Sequence, residues 1–492
     1  MASPVGASVA QREPQPAESR PARWLLPALL LGFAAVLFFR LGDAPVHRSN
    51  EVRVDRVSRH MLESGDWLVP RLGEKVRLQK PPLYYWLATS AESAAGGAAN
   101  AWLRAPSALC ALLLLLVAWG WGRWVGGERQ GLLAALLLVG LVGVAEFGRL
   151  GVAETLLAAS SSAALLAYEH ARATASRRAL WACLLCLAVA VLAKATPVLL
   201  TVALPIALDL ALQRRLRGAL NARTLGLVAL TVVPALLWYV AVIATVPGAW
   251  DQIVSFALLP FGVRLPEAAG NASHVRPVWY HVVSLVTMGL PLLALLPLVV
   301  ARAWHTRGWR DAPRLRFAAL AVGAPLLGFS LIPEKQDHYL LPLMPAWAVL
   351  LADALVDACE RAAAGARGLR IASLVTAALL LVTAGAFALA LRWVFDVSWP
   401  AALALVAAVG LGAAVVLASG WRGRALPWAA GVAGGTLLLM LVWFSTFDVV
   451  KQRLEAGVAT EAELAHWHAV RDAHPTLGRS LPEPDPPDDS PN

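Results

Sequence analysis

Residues 371–391 read IASLVTAALLLVTAGAFALAL, twenty-one positions without a charged side chain. A helix needs about 20 apolar residues, each adding about 1.5 Å of rise, to cross the hydrocarbon of a bilayer. Runs of this kind recur on both sides of the segment, and about thirteen spans are expected. They fall near 24–40, 102–119, 132–147, 151–168, 180–193, 196–212, 225–246, 278–300, 317–332, 338–356, 371–391, 401–419 and 427–444. A chain of 492 residues that is 58% hydrophobic and only 15% charged, with a mean hydropathy of +0.62, is excluded as a soluble domain around one core. The expected fold class is all-α, a polytopic membrane protein with amphipathic interfacial helices in its first outer loop.

Arginines mark one side of that membrane. Lys and Arg in short loops stay on the cytoplasmic side, so an inside N-terminus predicts that every second loop is basic. Those loops hold Arg123 and Arg129; Arg172, Arg177 and Arg178; Arg214, Arg215, Arg217 and Arg223; Arg302, Arg307, Arg310, Arg314 and Arg316; Arg361, Arg367 and Arg370; then Arg422 and Arg424. Much of the net charge of +10 therefore reads as topology and contact with anionic lipid. No basic platform interleaved with aromatics points to nucleic acid.

Residues 1–22 are polar and Pro-rich, the pattern of a disordered cytoplasmic N-terminus. The first apolar run is followed by Arg40-Leu41-Gly42 and not by a small-residue cleavage site, so it reads as a retained anchor. The membrane domain is placed at 23–446, with outer loops at 43–100 and 247–277. The tail, 447–492, is expected outside the cell membrane, with a short helical stretch from Glu461 to Arg471 and a disordered Pro/Asp-rich end. Four cysteines are too few for a disulfide scaffold, and Cys183-x-x-Cys186 lacks a second pair or a nearby His, so it reads as apolar packing.

The first outer loop is polar where the rest of the chain is not. Ser49 or Asn50 can cap a helix that runs to Glu63 and stops at Gly65, with Val54, Val57, Met61 and Leu62 on one apolar stripe and Arg53, Arg56, Arg59 and His60 elsewhere. Glu51 falls in its first turn, where a helix-start carboxylate and a reactive one fit equally. A second helix is expected from Pro81, which puts Lys80 beside unpaired N–H groups at a helix start. A cation there makes an anion site. Tyr84, Tyr85 and Trp86 follow at interfacial depth, where a polyprenyl phosphate presents its headgroup.

Lysines recur at the starts of later spans on the same side. Lys194-Ala195-Thr196-Pro197 opens the sixth and Lys335-Gln336-Asp337-His338-Tyr339 the tenth. Each can be a snorkelling anchor, but the recurrence points to a shared anionic substrate. Between the third and fourth spans lies Glu146-Phe147-Gly148-Arg149-Leu150-Gly151-Val152-Ala153-Glu154. Ionisable groups at this depth are usually paired or functional, and Arg149 is the expected partner of Glu154 or Glu146. The loop 247–277 adds Arg264, His274 and Arg276. One His without a spaced partner is a poor ligand set, so no metal or other cofactor is assigned.

Taken together, Asn50-Glu51-x-Arg53, the stretch from Met61 through Gly65-Asp66-Trp67 to Leu72, and Lys80-Pro81-Pro82-Leu83-Tyr84-Tyr85-Trp86 resemble the first outer loop of the C-type membrane glycosyltransferases. These are the aminoarabinose transferases of lipid A modification and their dolichyl-phosphate-mannose-type relatives. Arg149 to Glu154 is similar to the family's second acidic turn, Lys194-x-x-Pro197 to its Lys-Gly-Pro motif, and Lys335 with Tyr339-Leu340-Leu341-Pro342 to a later Lys and Tyr pattern. The likeness covers roughly residues 24 to 350. Two positions depart from it: the family commonly has Asp-Glu where this chain has Asn50-Glu51, and Asp where Glu154 stands.

The resemblance implies transfer of a sugar from a polyprenyl-monophosphate donor to an acceptor, lipid A, another glycolipid, a glycan or a protein, at the outer face of an inner membrane. The anomeric carbon gains positive character as the phosphate leaves, so cations are needed on the leaving group and a carboxylate near the sugar or nucleophile. An amide has no basic site, so the catalytic role is carried to Glu51 and Glu154. Lys80, Arg264 and Lys335 are assigned to the phosphate, and Tyr84, Tyr85, Arg149, Lys194, His274 and Tyr339 to the donor or its sugar. A transporter or flippase of lipid-linked anions is the alternative; it calls for broken helices, midplane charge and an internal repeat, and no matching halves are seen.

Overall fold

The computed structural model describes residues 24–450, apart from 47, 262, 264–273, 308, 311, 366 and 396. The expected tail helix at 461–471 lies outside the described residues. The chain starts with α1 (Leu25–Phe38), passes through α2 (Ser49–Ser64), a two-residue hairpin pairing β1 (Arg71–Leu72) with β2 (Lys75–Val76), and α3 (Leu83–Ala94). It continues with α4 (Asn100–Gly126), α5 (Glu128–Val139), α6 (Val142–Gly148), α7 (Ala153–Thr174), α8 (Arg177–Val198), α9 (Leu204–Leu212), α10 (Leu216–Ala219), α11 (Ala222–Thr245) and α12 (Ala249–Leu258). The rest comprises α13 (Tyr280–Met288), α14 (Leu296–His305), α15 (Pro313–Leu331), α16 (Met344–Ala363), α17 (Gly368–Val394), α18 (Trp399–Arg422) and α19 (Ala425–Val442). The fold is all-α and polytopic, as the apolar runs required.

Among the described residues, eight helical stretches are long and apolar enough to cross a membrane, or up to ten if each of two bent pairs counts as one span. That is fewer than the thirteen expected from the sequence. α1 has only 14 residues, and α5 with α6 and α13 with α14 are bent by 66° and 112°. The stretch Arg177–Leu212 counts once but is interrupted at Lys194, whose backbone is extended (φ −167°, ψ 95°). Pro197 is the physical cause: it lacks an N–H and its ring crowds the carbonyl four residues back, at Ala193. The chain turns back there, because Asp209, fifteen residues further on, returns to within 3.8 Å of Arg172 at the end of α7.

The helices share two poles. At the arginine-rich pole Arg172 and Arg316 flank the buried Asp209, Arg302 pairs with Asp353 and Asp357, and Arg314 donates to the Trp124 carbonyl while lying over its ring. These basic loops therefore tie helix ends together as well as marking a membrane side. Between the poles α16 forms the centre of the core, buried without interruption from Met344 to Ala352, as are Leu340 to Leu343 just before it, with Trp121, Phe317 and Trp428 among the large side chains of the same core. Leu237, Val382 and Leu411 stay exposed on α11, α17 and α18, apolar surface suited to lipid contact.

α2 and α3 lie across the second pole. Gly65, in the left-handed region at φ 73°, ends α2 as expected. Neither Ser49 nor Asn50 caps it; Arg48 holds that position without a side-chain cap, and the Asn50 amide oxygen accepts from Arg53 instead. α3 begins at Leu83, two residues later than expected, because Pro81 and Pro82 precede its first full turn. Val54, Val57 and Met61 are buried as the stripe predicted, and Ser58 donates to the Glu92 carboxylate to join the two helices.

Candidate active site

Three chain turns converge at the second pole. The turn before α7 presents Glu154 in the first helical turn, where the positive helix end favours an anion. The break in α8 presents Lys194, and the Pro-rich approach to α3 presents Lys80. Lys80 Nζ lies 2.9 Å and Lys194 Nζ 3.3 Å from Glu154 Oε1, and His338 Nε2 stands 3.5 Å from the same oxygen. Glu154 is only 2% exposed, and its other oxygen, Oε2, is buried without a hydrogen-bond partner. Burial pulls the Lys80 pKa below the ordinary ammonium range; Glu154 pulls it back up, while the charge of Lys194 adds to the lowering.

A cavity of about 200 Å³ opens on this cluster, lined also by Asn50, Arg53, Arg77, His274 and Tyr339. A second, of about 210 Å³, shares Ser49, Asn50, Glu154 and His338 with it and reaches Arg48. Tyr339 lies under Lys194, with the ammonium 5.2 Å from the ring centroid. The His274 N–H donates to Glu334, which fixes the far rim. Burial lowers the Arg53 pKa, and the nearby charge of Arg77 lowers it further. The site is thus a concave, cation-lined space at a membrane end, with one carboxylate at its floor.

Glu51 is elsewhere. It is fully buried and receives two hydrogen bonds from Arg104, Nε at 2.7 Å and Nη2 at 2.9 Å, and a third from the Gly151 N–H at 2.7 Å. It does not line either cavity, whereas its neighbour Asn50 lines both. Buried, with three hydrogen bonds and neither cavity against it, Glu51 is placed as a clamp between α4 and the turn before α7. Gly151 has to be small here, since a Cβ would come within 2.9 Å of the Leu103 side chain.

Four other expected contacts are placed differently. Arg149 pairs with neither Glu146 nor Glu154; its Nη1 donates to the carbonyls of Val36, Leu37 and Phe39 at the end of α1, and the guanidinium lies over Phe444. Glu146 pairs with Arg48 at 3.2 Å instead. Lys335 Nζ is spent on the carbonyls of Arg276, Ile332 and Pro333 and does not line the cavity. Tyr84 turns into the core, bonded to Ser107 at 2.7 Å, and Tyr85 is buried too, near enough to Arg53 and Lys80 to act on both; neither lines the cavity. Arg264 lies outside the described residues. Arg104, Arg77 and His338 were missed; Arg104 was detectable as a lone charge inside an apolar run, a costly placement that signals a partner. Among the described residues no group of three or more His, Cys, Asp or Glu could hold a metal ion.

Residues 79–238 match the family model described as dolichyl-phosphate-mannose-protein mannosyltransferase. The chain is 33% identical over 341 residues to the undecaprenyl phosphate-alpha-4-amino-4-deoxy-L-arabinose arabinosyl transferase 1 of Sodalis glossinidius, covering 66% of this chain and 58% of that one. It is 33% identical over 358 residues to transferase 2 of Pseudomonas fluorescens, covering 72% and 59%. The family resemblance read from the sequence is borne out. The structure is similar to that of ArnT from Cupriavidus metallidurans bound to undecaprenyl phosphate, with a TM-score of 0.67, 20% identity, and coverage of 94% of this chain and 90% of that one. At this identity the likeness to ArnT speaks for the fold. The chain spans somewhat under two thirds of the length of the arabinosyl transferases it matches.

Proposed function

We propose that this chain is a glycosyltransferase that moves a sugar from a polyprenyl-monophosphate donor to an acceptor, lipid A or another glycolipid, a glycan or a protein, on the periplasmic or extracellular side of the inner membrane. The observation that carries the reading is the convergence of Lys80 and Lys194 on Glu154 in a cavity at the pole opposite the arginine-rich loops. The similar transferases are named for an undecaprenyl-phosphate sugar donor, which fits a cation-lined site beside lipid. The catalytic unit proposed is the membrane domain up to residue 446.

The donor's phosphate is anionic, and Lys80 and Lys194 are the cations placed to receive it. Phosphate binding competes with Glu154 for both ammonium groups, so the carboxylate is released from its ion pairs as the donor arrives. The acceptor oxygen then attacks the anomeric carbon, the bond from that carbon to the phosphate oxygen breaks, and the polyprenyl phosphate leaves with the electron pair, stabilised by the two ammoniums. Glu154 takes the proton of an acceptor hydroxyl; an acceptor phosphate, already ionised, needs none. Asn50 and His338 flank this carboxylate, and Tyr339 and His274 line the side where the sugar would sit. Glu51 holds the turn before α7 through Gly151 and so positions Glu154 from behind. The test is incubation of the purified protein with a polyprenyl-phosphate-linked sugar and acceptor lipid: free polyprenyl phosphate must appear, and vesicles showing substrate flux without any sugar release would move the assignment to transport.

A further inference from the structure

The cavity at Glu154 holds more positive charge than a donor phosphate uses. Among the described residues, four fixed cations line it, Arg53, Arg77, Lys80 and Lys194, against two carboxylates, Glu154 and Glu334. The lysines are the pair engaged by Glu154. The guanidiniums bond to neutral amides: Arg53 Nη1 donates to the Asn50 Oδ1 at 3.2 Å, and Arg77 Nη2 donates to the Gln79 side chain, while Arg77 Nε is buried without a hydrogen-bond partner. The two guanidiniums also act on each other: burial lowers the Arg53 pKa and the charge of Arg77 lowers it further.

Asn50 is the reason the excess exists. The transferases that the first outer loop resembles commonly have Asp there, and an Asp would give Arg53 an anionic partner at the cavity wall. A polyprenyl-phosphate sugar is a phosphodiester with a single negative charge, which leaves the lining net positive after it binds. An ammonium group on the sugar would then be a further cation in a poorly solvated space, where like charges are strongly disfavoured and partners are discriminated by charge. A hydroxyl or a carboxylate in its place would add no positive charge to that lining.

Resting on the glycosyl-transfer reading, we infer that the sugar this chain transfers carries no cationic group: it is an unaminated pentose or hexose, or a uronic acid, and not an amino sugar. The full chain, purified in detergent, is tested for equilibrium binding at neutral pH of a matched pair of donors. These are undecaprenyl phosphate carrying arabinose and undecaprenyl phosphate carrying 4-amino-4-deoxyarabinose, with bare undecaprenyl phosphate as a third ligand. The arabinose donor is expected to bind at least about tenfold more tightly than the aminated one. Asn50→Asp is expected to reduce that preference to within about threefold, since it returns one negative charge beside Arg53. Equal or tighter binding of the aminated donor by the unmodified chain overturns the inference and leaves glycosyl transfer standing. Failure of all three ligands to bind overturns glycosyl transfer itself, and the inference with it. A variant that no longer binds bare undecaprenyl phosphate is misfolded at the site, and the ratio measured on the unmodified chain then decides.

Discussion

Lys80 Nζ and Glu154 Oε1 stand 2.9 Å apart although 74 residues separate them in the chain. The pair joins the first outer loop to the start of α7 and puts a phosphate-binding group and a proton acceptor within one hydrogen bond of each other. Its carboxylate is shared with Lys194, so Glu154 is overcompensated when no donor is present.

Removing the first cation separates binding from fold. Lys80→Ala deletes one charge-assisted hydrogen bond to the donor phosphate, worth about 1.5–3 kcal/mol, and is expected to weaken donor affinity by roughly 10- to 100-fold. Titration of the purified variant with a polyprenyl-phosphate sugar checks this. An affinity unchanged from the parent chain would make Lys80 an interfacial anchor.

Arg104→Ala leaves Glu51 as a buried carboxylate without its cation. Breaking a buried pair by removing one partner costs about 3–5 kcal/mol, so the thermal midpoint in detergent is expected to fall sharply. Glu51→Gln keeps the shape and is expected to be milder, with turnover reduced but the pH dependence of turnover unaltered. A pH–rate profile that loses its acidic limb in Glu51→Gln would restore Glu51 as the base.

For Arg149, a guanidinium spread over the carbonyls at the end of α1, the expected effect of Arg149→Ala is a loss of about 1.5–3 kcal/mol of stability with the donor KM unchanged. Thermal unfolding and donor kinetics on one preparation read both. A raised KM with full stability would return Arg149 to the sugar.

Glu92 supplies a pH dependence. Burial raises its pKa above the usual carboxylate value, with the Ser58 hydrogen bond opposing that rise. A carboxyl whose folded pKa exceeds its unfolded one contributes stability in full below the unfolded pKa, and that contribution is lost as pH rises through the folded value. The contact between α2 and α3 is therefore expected to loosen on the alkaline side of that raised pKa. Glu92→Gln, neutral at every pH, should flatten this part of the stability curve, as followed by hydrogen exchange of α2 and α3.

The lysines were legible in the sequence because each sits where an apolar run is about to start, and the turn before α7 was legible because charge at that depth needs a reason. Which carboxylate faces the substrate was not. Asn50 and Glu51 are neighbours on α2, about 100° apart around the helix, and only the rotation of α2 against α4 decides which one enters the cavity. That rotation is fixed by Arg104, an element of tertiary packing. Arg149 and Lys335 were misread for a related reason: both bond to main-chain carbonyls, acceptors that every residue supplies and no motif marks. The span tally exceeded the long helices found because α1 has only 14 residues, the spans expected at 180–193 and 196–212 fall in one stretch, Arg177–Leu212, and α7, expected as a span, is not among the long apolar helices.

The most direct measurement compares donor binding and turnover in the parent chain and in Glu154→Gln. The account predicts that the variant binds a polyprenyl-phosphate sugar within a few-fold of the parent, or more tightly because Lys80 and Lys194 are freed, while transfer to a hydroxyl acceptor falls by about 10²–10⁴-fold. Turnover retained at the parent rate with unchanged binding would contradict it.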